Sequence, residues 1–247
     1  MMKYLFLLFL CLCLTTQAQR PALPTATPLS IGEVVTIASD ALGENRVLNI
    51  YLPISYKDRT DKSYPVIYLL DGSMDEDFLH IAGLVQFGSF PWIAMLPESI
   101  VVGIANVDRK RDFTYPSQDP RDQKEFPTTG GSARFIPFLT AEVPQYIRQH
   151  YRTDTTQTLI GQSLGGLLAT EILLKQPASF DHYLIISPSL WWDEERLLQI
   201  DIPSLEKVQS VYVAVGAEGP IMERVAKELY QKIQSIAGTK TYFQFFE

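Results

Sequence analysis

The chain has 247 residues, 46% of them apolar, with 28 acidic against 21 basic side chains and a formal net charge of −7. That length and apolar share suffice for one core, and no repeat or second linker interrupts it. The acidic balance argues against nucleic-acid binding, although not against local basic patches.

From the start of the chain, Lys3, the apolar run Leu5 to Leu14 and the small-x-small Thr16-Gln17-Ala18 read as a signal peptide over residues 1–18, cleaved before Gln19. The apolar run is too short to span a bilayer. Leu12 ahead of Cys13 is not the small residue a lipoprotein signal needs, so no membrane anchor is expected, and the protein reads as exported to the periplasm or beyond the cell. Both cysteines, Cys11 and Cys13, fall inside that leader. The mature chain therefore offers no disulfide, cysteine nucleophile or cysteine metal site. Without Lys3 its charge is 20 basic against 28 acidic, or −8. Residues 19–32, rich in proline, read as a disordered lead-in to one domain over 33–247.

The β-formers Val34–Ile37 and Val47–Leu52 flank Gly43-Glu44-Asn45 as an antiparallel hairpin. Val66–Leu70 and Ile100–Ile104 are continuous apolar runs, the mark of parallel strands buried on both faces. Helical patterns fall at Asp75 to Phe87 and Phe135 to His150. The polar stretch Asp108 to Ser132 reads as a long loop at the carboxyl end of a strand, where open α/β sheets place their ligands. A strand at 158–162 leads into a helix ending near Leu174. Strands Tyr183–Ile186 and Val211–Val215, a helix Ile221–Ile236 and a last strand Lys240–Phe246 complete an α/β fold. Its sheet is mostly parallel, with helices on both faces and the N-terminal hairpin antiparallel.

Gly161-Gln162-Ser163-Leu164-Gly165 lies where the strand turns into the helix. A serine hydroxyl becomes a useful nucleophile when a tight turn thrusts it out of the sheet, and that turn needs small neighbours. The bare pattern is weak; its strand and helix context carries it.

Several segments together resemble the putative esterase family of α/β-hydrolases, over roughly Val34 to Glu247. Tyr64–Gly72 (YPVIYLLDG) is similar to the family's strand and oxyanion turn, Ile100–Asp112 (IVVGIANVDRKRD) to its strand and basic loop, and Gly161–Gly166 to its nucleophile elbow. Ser187–Trp192 (SPSLWW) resembles a signature of the branch that includes bacterial siderophore esterases. Other members are S-formylglutathione hydrolases, feruloyl and acetyl esterases and mycolyltransferases. Gln162 departs from the pattern, standing where histidine is frequent.

The resemblance implies an acyl-enzyme mechanism with no metal or cofactor. Ser163 would be the nucleophile, with the Leu164 and Ser73 N–H groups at the oxyanion. The acid should follow the serine in chain order, which makes Glu218 the candidate, although a glutamate there also suits a helix N-terminus. Asp193 and Glu194 are weaker alternatives that more simply begin the helix after Trp192. Trp191, Trp192, Tyr115 and Phe113 could stack an aromatic acyl group, and Arg109 or Arg111 could hold an anionic one, as a siderophore ester would supply. The Trp pair could equally cover the core. A carbohydrate acyl esterase, an acyltransferase and a noncatalytic ligand-binding relative are the rivals. No histidine fits the base: His182 opens its strand at the far end, His150 ends a helix on the same wrong side, and His80 precedes the serine. The resemblance implies a histidine just after the last strand, where this sequence stops, so a missing C-terminal piece is the expectation.

Overall fold

A computed structural model describes residues 26–202, 204–236 and 239–247. The leader expected at 1–18 lies outside the described residues, as does the lead-in up to residue 25. The chain divides after Ser30. Residues 26–32 carry no regular secondary structure and are exposed.

The predicted hairpin forms from β1 (Glu33–Ser39) and β2 (Glu44–Tyr51), turning through Gly43 at φ 69°. Its β2 edge pairs antiparallel with β4 (Ile100–Ile104), which pairs parallel with β3 (Tyr64–Leu69). All five residues of β4 are buried, as a strand covered on both faces requires. On the other side of β3 come β5 (Thr153–Gln162), β6 (His182–Ile186), β7 (Ser210–Gly216) and β8 (Lys240–Phe246), all parallel. The order β1-β2-β4-β3-β5-β6-β7-β8 reverses at β3. The chain leaves β3 toward one edge and returns through β5 toward the other, so a crevice opens at their carboxyl ends.

Helices cover the two faces unequally. α1 (Phe78–Gly88) packs Phe78, Ala82 and Val85 on Leu69 and Val101 in a small cluster. The large core on the opposite face takes α5 (Val143–His150), α6 (Leu164–Lys175) and α8 (Pro220–Gln234). Every residue of α6 from Gly165 to Leu174 is buried, which explains a helix with almost no polar face. On the α1 face, half-buried Ile67, Ile160, His182 and Leu184 line a cavity of about 370 Å³ with Leu84, Val85 and Leu96.

Two expectations need correction. The stretch Asp108 to Ser132 is not one long loop: it holds α2 (Arg109–Phe113) and α3 (Pro120–Glu125). Asp108 accepts from the Arg111 N–H at 3.0 Å, and Asp119 accepts from the Arg121 N–H at 2.8 Å ahead of Pro120, two N-caps that start helices within polar sequence. The helix expected at Phe135 to His150 is composite. α4 (Ser132–Pro137) runs through a π-helical turn, Phe138–Glu142, into α5. Pro137 and Pro144 lack the N–H that regular α bonding needs, and the local register shifts between them.

Candidate active site

β5 delivers Ser163 to the crevice at φ 55° and ψ −117°, a region that non-glycine residues enter only when their surroundings force them. The force is visible. The Ser163 N–H donates to the Ile186 carbonyl at 3.0 Å, and its own carbonyl accepts from the Leu167 and Ser189 N–H groups at 2.9 and 3.0 Å. A side chain at Gly161 would put its Cβ 2.3 Å from the Gly165 carbonyl oxygen, so the strand and helix close to this distance only through glycine. Ser163 Oγ lies 3.2 Å from Ser189 Oγ. The Leu164 N–H opens α6, whose first donors have no intrahelical acceptor.

A cavity of about 200 Å³ adjoins Ser163. Leu164, Ser189, Trp191, Trp192 and Phe126 line it with Arg109, Lys110, Thr114 and Thr129. The aromatic wall is continuous: the Phe126 ring centroid lies 6.5 Å from Trp191 and 6.0 Å from Trp192, and the two tryptophans lie 6.2 Å apart, edge to face. Trp192, just 1% exposed, donates from Nε1 to the Tyr115 carbonyl at 2.9 Å. Tyr115 returns a bond from its hydroxyl to the Trp192 carbonyl at 3.3 Å. Tyr115 thus stands behind the wall rather than on it, and burial pushes its phenol pKa up.

Of the two arginines read as substrate ligands, Arg109 lies on the cavity and Arg111 does not. Arg109 grips Asp71 with Nε to Oδ1 at 2.5 Å and Nη2 to Oδ2 at 2.9 Å, and reaches the Gln162 carbonyl at 3.3 Å. Burial alone would lower the Arg109 pKa, but the Asp71 hydrogen bond and charge raise it overall. Arg111 turns to Asp112 at 2.7 Å and Glu44 at 2.6 Å, and both hydrogen bonds hold its pKa up. Its partners belong to a network around Arg46, whose Nη1 meets Asp112 at 2.7 Å and Glu44 at 2.8 Å.

The second oxyanion donor proposed from sequence is already engaged. The Ser73 N–H donates to Glu76 Oε2 at 3.2 Å, and Asn106 Nδ2 donates to Glu76 Oε1 at 2.8 Å. Partial burial would raise the Glu76 pKa, yet the bonds from Asn106 and Ser73 leave it lowered. Glu218 stands exposed past the end of β7 and takes a hydrogen bond from the Ser187 hydroxyl, two residues before Ser189. Asp193 and Glu194 do begin a helix, α7 (Trp192–Gln199), through a left-handed turn with φ of 51° and 52°. Asp193 is buried on the Gln118 N–H at 2.6 Å, not at Ser163.

Among the described residues no histidine hydrogen-bonds Ser163. His182 Nδ1 pairs with Ser210 Oγ at 2.7 Å, His150 Nδ1 with the Tyr146 carbonyl at 2.8 Å, and His80 is exposed on α1. Lys110, Phe126, Thr129 and Ser189 are site residues that sequence reasoning missed. Lys110 was hidden between two arginines, and Ser189 lay inside SPSLWW.

A family model described as putative esterase matches residues 39–244. Ferri-bacillibactin esterase BesA of Bacillus subtilis (strain 168) is 31% identical over 169 residues, 63% of this chain and 58% of that protein. Siderophore triacetylfusarinine C esterase of Aspergillus fumigatus is 27% identical over 184 residues, 71% of this chain and 61% of that protein. Each match thus spans less than two thirds of the relative. An IroE-like serine hydrolase from Shewanella oneidensis superposes with a TM-score of 0.78 at 27% identity, covering 87% of this chain and 73% of the other. The BES protein from Bacillus cereus does so with 0.75 at 27% identity, covering 91% and 90%.

Proposed function

The chain belongs to the putative esterase family, and from that premise we propose that it is an exported serine hydrolase of carboxylic esters. Ser163 Oγ attacks the ester carbonyl while a general base, the histidine that the family resemblance implies, takes its proton. The tetrahedral oxyanion collapses to an acyl-serine as the alcohol leaves with a proton, and water then releases the acid. The Leu164 and Ser73 N–H groups serve the oxyanion in this reading, and Glu218 orients the base. The observation that carries it is the strained Ser163 turn opening onto an aromatic cavity. Relatives named as siderophore esterases support a siderophore ester as the substrate.

The test is covalent. In the full-length protein a fluorophosphonate should label Ser163 and leave Ser163→Ala unlabelled at equal folded protein; labelling that survives the substitution rejects the nucleophile. One observation favours a second reading, binding without turnover: among the described residues the Ser163 hydroxyl faces Ser189 rather than an imidazole. Export is tested separately, since protein recovered outside the cytoplasm should begin at Gln19.

A further inference from the structure

We propose that Lys110, and neither arginine beside it, receives the charge of an anionic aromatic acyl group bound next to Ser163. This rests on the serine-esterase reading above and names the part of the substrate that the cavity selects.

Arg109, Lys110 and Arg111 are consecutive on α2, so their side chains leave its axis about 100° apart, and two of them, Arg109 and Lys110, reach the cavity wall. Each has a different fate. Arg111 is spent on Glu44 and Asp112. Arg109 reaches the cavity wall, but its bidentate pair with Asp71 cancels its charge, and an incoming anion would also meet the Asp71 carboxylate. The clamp has a structural purpose, joining the end of β3 to the elbow through the Gln162 carbonyl. Lys110 Nζ sits 4.8 Å from the Phe126 ring centroid. Among the described residues it is the cation on this wall without a carboxylate partner.

The other polar groups of the wall narrow the choice. Thr129 Oγ1 donates to the Phe126 carbonyl at 2.6 Å, and Thr114 Oγ1 donates to the Lys110 carbonyl at 2.7 Å while accepting from the Gly130 N–H at 2.8 Å. Both hydroxyls hold the wall together. An apolar cavity of roughly 150 Å³ takes one benzene ring. The 200 Å³ here therefore suits a single substituted ring, flanked by Trp191 and Phe126, with its negative substituent at Lys110.

The experiment compares monomethyl terephthalate with methyl benzoate, two esters that differ by one carboxylate, through quenching of tryptophan fluorescence at low ionic strength. The wild-type protein should bind the anionic ester more tightly, and added salt should erase the preference. Lys110→Met should weaken the anionic ester by about three- to five-fold, the scale of an exposed ion pair. It should leave the neutral one within two-fold, and Lys110→Arg should restore the preference. Lys110 is exposed and its backbone bond to Thr114 survives substitution, so both variants should fold. An unchanged preference in Lys110→Met, or equal weakening of both esters, overturns the proposal. Fluorophosphonate labelling of Ser163 is measured on the same samples. If labelling fails, the esterase reading falls; if labelling holds while the preference survives Lys110→Met, the Lys110 assignment alone falls.

Discussion

The Ser73 amide shows how one residue can be asked to do two things. It is the proposed second donor to the oxyanion, yet in the free protein it donates to Glu76 at 3.2 Å. Serine followed three residues later by glutamate is the capping-box spacing, in which the acid reaches back to the amide of the first residue. A substrate oxygen must displace that carboxylate. Glu76→Ala should therefore raise kcat/KM for a small aryl ester by about two- to ten-fold, the net worth of one competing hydrogen bond. A fall would show that Glu76 instead holds the turn in shape for the amide. The spacing of Ser73 and Glu76 was readable in the sequence, but the competition was not. Only the turn geometry, with Asn106 on the other Glu76 oxygen, shows where the carboxylate goes.

At the scale of elements, α2 is placed by buried charge. Arg46 is fully buried on β2, its guanidinium lying 5.2 Å from the Phe135 ring centroid and bonded to Asp112 of α2. Removing one member of such a pair leaves the other unpaired, so Arg46→Met should cost about 3–5 kcal/mol in denaturant unfolding. An effect below about 1 kcal/mol would mean the network is dispensable. Glu44 extends the network toward solvent, and the Arg111 hydrogen bond, outweighing burial, holds its carboxyl below the ordinary value of 4.5. A carboxylate depressed in the folded state stabilises above its unfolded value and loses that contribution as pH falls through its folded value. The unfolding midpoint of the wild type should therefore exceed that of Glu44→Gln above pH 5, and the gap should shrink as acid is added below 4.5. A gap that persists in strong acid would assign it to packing. The strands and the hairpin were legible because continuous and alternating apolar runs differ by period. α2 and α3 were not, since helices of five and six residues have too few turns to show a period. Their signals were single capping residues, Asp108 and Asp119.

Across the whole molecule, the topology fixes what can reach Ser163. Parallel strands send every carboxyl end to one side, and the reversal at β3 opens the crevice there. His182 begins β6, four residues and about 13 Å below the end at Ile186, so the sheet holds it away from the site. His150 closes α5 stacked on Tyr146 at 4.0 Å, and His80 faces solvent from α1. The sequence allowed this exclusion because chain direction along a parallel strand follows from the fold class. It did not reveal the hydroxyl contact with Ser189, two residues past Ser187, whose φ of 43° is left-handed. A serine without a base keeps its proton near neutral pH, and an oxyanion site plus binding then leave about 10³- to 10⁴-fold acceleration over water. Hydrolysis of p-nitrophenyl acetate by the 247-residue chain should therefore be slow. Added imidazole should accelerate it with saturation, because Ser163 is only half-buried and its cavity is open to a small base. Ser163→Ala supplies the background from imidazole acting alone. Fast turnover that ignores imidazole would show that a base is already in place, and His80→Ala would then be the first substitution to examine.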